Sequence, residues 1–140
     1  RNKVINRIYE ESEVFKNSDF KSESFVNLYS KIVHKEICKI GVSKNVISFL
    51  KKTNKVLFIN SATPQKELII LCKDLKIDKY FVDIFGSPNS KKHNFNFIIK
   101  NNNFKVDQFL FVGDMQSDKD IADEMDIEFY PVLSKGTDLK

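Results

Sequence analysis

Residues 109–118 read Phe109-Leu-Phe-Val-Gly-Asp-Met-Gln-Ser-Asp118. The short apolar run suits a buried strand of a parallel sheet, and Gly113 at its end permits a tight turn. Asp114 then stands just past the C-terminal end of the strand, where open α/β sheets bind ligands. Asp118 follows within one turn and can face the same crevice. Two carboxylates with few neighbours suit a hard cation such as Mg²⁺, which takes one or two carboxylates and keeps waters or substrate oxygens for its other positions. The competing reading is a strand followed by a capped helix. Asp114 or Ser117 would then be the cap, and Asp118 would favour the positive end of the helix.

Outward from this stretch, strands and helices alternate. Val56–Asn60 reads as a strand, and Pro64 opens a helix running to about Lys76 on Leu68, Ile69, Leu71, Cys72 and Leu75. A second, shorter strand is expected near Ile84–Gly86. Lys91–Asn102 reads as a helix with Phe95, Ile98 and Ile99 inward. Phe109–Val112 is the third strand, Ser117–Met125 a helix and Ile127–Val132 the fourth strand. This order predicts an α/β fold with one parallel sheet and right-handed crossovers. The leader does not join the alternation. Phe25, Leu28, Ile32, Val33, Glu36, Ile37 and Ile40 fall on one helical face, apolar but for Glu36. Gly41 ends that helix, and Ser43 caps a short one after it. The expected organisation is a helical segment over 1–42 and an α/β unit over 43–140.

The chain has 140 residues, 41% of them hydrophobic and 30% charged, which is one ordinary domain with enough length for a core. No run approaches the ~20 apolar residues of a membrane-spanning helix. No signal peptide is visible, so the expected location is cytoplasmic. The net charge of +4 is spread along the chain among acids, with no basic stripe, so no nucleic-acid partner is expected. Cys38 and Cys72 sit in apolar helical patterns and read as buried thiols rather than a disulfide. Cys and His show no zinc-ligand spacing, and His34 and His93 read as packed or solvent-facing.

Polar groups follow three successive strands. After the first come Ser61-Ala-Thr-Pro64, a small hydroxyl and free backbone N–H groups at a helix start, which is an anion site or simple capping. After the second come Gly86-Ser-Pro-Asn-Ser-Lys-Lys92, where a lysine can reach over the sheet edge and neutralise a phosphate. After the third come Asp114 and Asp118. Parallel strands would put all three at one edge of one sheet.

These segments resemble the haloacid dehalogenase-like superfamily, in particular its phosphoglycolate phosphatase-like branch. The resemblance covers about residues 42–133. The family's second motif, a Ser or Thr ending a strand, matches Ser61. Its third, a Lys ahead of a helix, matches Lys91, with Lys92 as the alternate. Its fourth, an acidic pair after Gly, matches Asp114 and Asp118. The resemblance implies a Rossmann-like parallel sheet with helices on both faces. It makes the leader the C-terminal part of a substrate-selecting cap segment.

The family's first motif is an apolar strand ending in Asp-x-Asp, with a nucleophile and a general acid/base. No such motif occurs before residue 56. The expectation is a fragment that begins inside the cap segment, inactive alone and prone to associate through uncovered apolar faces. For the parent protein the resemblance implies a Mg²⁺-dependent phosphatase, or a mutase, of a small phosphorylated metabolite, working through an aspartyl-phosphate. Asp114 and Asp118 would hold the metal. Ser61 and the Ala62 N–H would bind a phosphoryl oxygen, and Lys91 would neutralise its charge. The alternative is a degenerate relative that binds phosphate or protein without catalysis. Oligomeric state is left open.

Overall fold

The computed structural model describes residues 22–133. The helical reading of residues 1–21 lies outside the described residues. In chain order the elements are α1 (Ser22–Ile40), α2 (Lys44–Lys52), β1 (Phe58–Pro64), α3 (Gln65–Asp74), β2 (Asp83–Ser87), α4 (Lys91–Asn102), β3 (Leu110–Gly113), α5 (Gln116–Glu124) and β4 (Glu128–Pro131). Single 3₁₀ turns at Asp78–Tyr80 and Val106–Gln108 lead into β2 and β3. The fold is α/β with parallel strands.

Local chemistry explains most boundaries. Gly41 takes a left-handed φ of 71° and stops α1. The Ser43 hydroxyl accepts the Val46 N–H and caps α2, and Ser90 does the same for α4 through His93. Lys76, Asn103 and Asp126 adopt positive φ where helices α3, α4 and α5 give way to loops.

The strands pair as two parallel couples, β1 with β2 and β3 with β4. The expected single sheet is therefore not continuous in hydrogen bonding among the described residues. Helices α3 and α5 each bring consecutive strands alongside, whereas the β2-to-β3 connection pairs none. β1 also differs from the expected Val56–Asn60. Its pairing with β2 begins at Phe58, is interrupted after Asn60 and resumes at Pro64 opposite Ser87. Ser61 thus lies within an irregular strand rather than after its end.

The chain forms two compact units, one ending at Pro88 and one starting at Asn89. Each has its own core. In the first, Leu68 and Cys72 of α3 and Ile84 of β2 are buried, with Ile59, Ile69, Ile77 and Phe81 against them. In the second, Phe95, Ala122 and Ile127 are buried among Ile99, Phe109, Phe111 and Phe129. Ile98 is 2% exposed, and Phe95 meets Phe109 edge-on at 4.8 Å.

Helix α1 buries only part of its apolar stripe. Leu28, Ile32 and Ile40 are exposed. The half-buried residues include Ser30, Val33, His34, Ile37 and Cys38. Ser30 donates to Glu67 of α3, and His34 Nε2 lies 2.8 Å from Asp74 at the end of α3. Of the stripe, Phe25, Val33 and Ile37 are half-buried, and these polar contacts to α3 lie beside them.

Candidate functional site

In the second unit, Asp118 sits in the first turn of α5 and is 3% exposed. Its Oδ1 accepts a hydrogen bond from the Lys91 ammonium at the start of α4. The Lys91 side chain is also largely covered, at 20% exposure. A buried carboxylate is tolerated because a cation reaches it. Lys92, the alternate lysine, points elsewhere and pairs with exposed Glu124.

Gly113 has a reason other than the tight turn. Its φ is not left-handed. A Cβ there would lie 2.7 Å from both the Cβ and the Oδ2 of Asp118. The hydrogen at this position lets the Asp118 side chain lie against the end of β3. Gly and Asp at positions 113 and 118 therefore form one steric unit.

Asp114 follows β3 directly and is exposed. It makes no hydrogen bond or ion pair with any other described residue. The N-cap of α5 is Met115, with no side-chain cap bond. Neither Asp114 nor Ser117 caps the helix, so half of the competing reading fails. The other half stands, since Asp118 occupies the positive end of α5.

In the first unit, Ser61 is half-buried and Ala62 exposed. Ser61 Oγ accepts the Thr63 N–H at 3.2 Å and donates to Thr63 Oγ1 at 3.2 Å. This local turn fixes the hydroxyl. The N-cap of α3 is Pro64, without a side-chain cap bond, so Ser61 and Thr63 do not serve as caps.

Gln65, the first residue of α3, carries no signal in the sequence reading. Its Nε2 donates to Ile84 O at 2.6 Å, and its Oε1 accepts the Gly86 N–H. A side-chain amide thus pairs with β2 across the interrupted stretch of the ladder. Gly86 leaves room for this approach, since a Cβ there would meet Thr63 O at 2.5 Å. The Gly86–Gln65 fit joins residues 21 positions apart, and nothing in either local segment announces it.

The family model for haloacid dehalogenase-like hydrolases matches residues 2–132. No curated protein matches the chain. Among solved structures, a candidate phosphatase from Clostridium difficile superposes with a TM-score of 0.70 at 22% identity, over 92% of this chain and 63% of that one. A haloacid dehalogenase-like family hydrolase from Streptococcus pneumoniae gives 0.69 at 19% identity, over 88% and 61%. At such identities the likeness is one of fold. The chain spans about three-fifths of the length of both structures.

Proposed function

Because the chain belongs to the haloacid dehalogenase-like hydrolase family, we propose that it is part of a Mg²⁺-dependent phosphatase acting on a small phosphorylated metabolite in the cytoplasm. The observation that carries this reading is the covered Lys91–Asp118 pair against Gly113, with Asp114 exposed at the end of β3. The nucleophile and general acid/base would be an Asp-x-Asp pair outside these 140 residues, and the reaction would pass through an aspartyl-phosphate.

The donor set fits the metal. Asp114 and Asp118 offer hard carboxylate oxygens, and Asp114 has no competing partner among the described residues. A bound Mg²⁺ would neutralise charge between the phosphate and the attacking carboxylate. Asp118 holds the Lys91 ammonium in place, so positive charge is preorganised for the phosphoryl group. Ser61 would keep its position through the Thr63 N–H. Its hydroxyl proton would turn from Thr63 Oγ1 to a phosphoryl oxygen, joined by the Ala62 N–H. Residues 1–42 serve in this reading as the end of a cap segment that selects the substrate.

The first test is the coding sequence upstream of Arg1. An apolar strand ending in Asp-x-Asp within a cap's length supports the enzyme. An intact start codon with no such motif overturns it and leaves a binding module. In a protein containing that motif, Asp114→Asn is expected to abolish Mg²⁺-dependent hydrolysis of a phosphate monoester. Full activity in that variant would sink the metal assignment. The 140-residue chain alone is expected to hydrolyse none.

A further inference from the structure

Two helices of the first unit bring together three side chains that the phosphatase reading does not use. His34 and Cys38 are one helical turn apart on α1, where positions i and i+4 share a face. Asp74 closes α3, forty residues after His34. One ligand atom from each lies within 4.8 Å of the other two. His34 Nε2 and Asp74 Oδ2 already share a hydrogen bond at 2.8 Å.

We propose that His34, Cys38 and Asp74 form a Zn²⁺ site that ties α1 to α3. The chemistry of the set selects the ion. Thiolate and imidazole are ligands for zinc, whereas Mg²⁺ takes oxygen donors. Bond lengths of about 2.0–2.3 Å in a tetrahedron place ligand atoms ~3.3–3.7 Å apart. The three atoms lie within 4.8 Å of one another, and the His34–Asp74 pair, at 2.8 Å, is closer than that range. The Asp74 contact must open slightly, and any separation near the 4.8 Å bound must close by at most about 1 Å, judged against that tetrahedron. Side-chain rotation can supply this, because Asp74 is 54% and His34 31% exposed. The metal would replace the proton now shared between His34 and Asp74. Three protein ligands leave the fourth position for water.

The second cysteine takes no part. Cys72 is 3% exposed in the core, and burial, with the nearby Asp78 charge, pushes its thiol pKa up. It stays protonated and out of reach, which makes it an internal control. The spacing in sequence hid the site, because the third ligand comes from another helix. The proposal stands independently of the phosphatase reading, since no residue is shared.

The test is titration of the reduced full chain with Co²⁺, then competition with Zn²⁺. One equivalent of Co²⁺ is expected to bind with a thiolate-to-cobalt charge-transfer band, and Zn²⁺ should bleach it. Cys38→Ser, which keeps Cys72, should remove the band. His34→Ala and Asp74→Asn should each weaken Zn²⁺ binding at least ~10-fold. A second measurement needs no variant. Zn²⁺ should slow alkylation of Cys38, located by peptide mapping, and leave Cys72 unchanged. Absence of the band, its survival in Cys38→Ser, or unchanged alkylation of Cys38 would each overturn the proposal.

Discussion

Gly113 and Asp118 constrain one another, and the constraint reaches Lys91. A methyl group at position 113 meets the Asp118 carboxylate at 2.7 Å. Gly113→Ala is therefore expected to displace Asp118 from Lys91 and to cost about 1–3 kcal/mol through overpacking. Chemical denaturation measures the loss, and an unchanged midpoint would argue against the steric unit. The two lysines separate on the same grounds. Lys91→Ala leaves the Asp118 carboxylate buried without its cation, a change that typically costs ~3–5 kcal/mol. In an active protein it should also lower kcat/KM at least ~10-fold. Lys92→Ala removes only an exposed pair, worth about 0–1 kcal/mol. Activity assays and melts on both variants check this ordering. A larger activity loss from Lys92→Ala would move the proposed phosphate-binding role by one residue.

At the scale of elements, the irregular β1–β2 pair is held where its ladder is interrupted. The Gln65 amide bonds to Ile84 O and the Gly86 N–H, both part of buried residues. Gln65→Met keeps the volume and removes both bonds. The unsatisfied backbone groups should cost on the order of 1–3 kcal/mol each, an upper range if water reaches them. Amide exchange at Gly86 should speed up in parallel, and unchanged protection there would refute the bridging role. Helix α1 teaches a related point. Its apolar stripe is only partly buried, and Ser30 and His34 beside it bond to acids on α3. Periodicity reports where apolar side chains lie around a helix but not which neighbour comes to meet them.

For the molecule as a whole, the described residues build two small cores, one in each unit. Ile98 is nearly fully covered, so Ile98→Ala should cost about 2–5 kcal/mol, a large share of a domain's ~5–15 kcal/mol. Equilibrium unfolding followed by aromatic signals would test it, and a loss under about 1 kcal/mol would mean the site collapses freely. Leu110 and Val112 of β3 are about half exposed among the described residues. Much of this architecture is legible in the amino-acid order. Helix α4 runs over Lys91–Asn102 as its pattern requires, Gly41 stops α1, and strands alternate with helices. Those features depend on neighbours within a few residues, where periodicity, caps and backbone preference act. The candidate residues Lys91, Asp114 and Asp118 stand out for the same reason, as polar groups at strand-to-helix junctions, whereas Ser61 lies within β1. Other features depend on groups far apart along the chain: the lysine that reaches Asp118, the steric purpose of Gly113, the Gln65 bridge, the buried face of α1 and the meeting of His34, Cys38 and Asp74. Lys91 and Asp118 are 27 residues apart, and His34 and Asp74 are 40 apart. Such pairings follow from how whole elements pack, and no local window of sequence contains both partners.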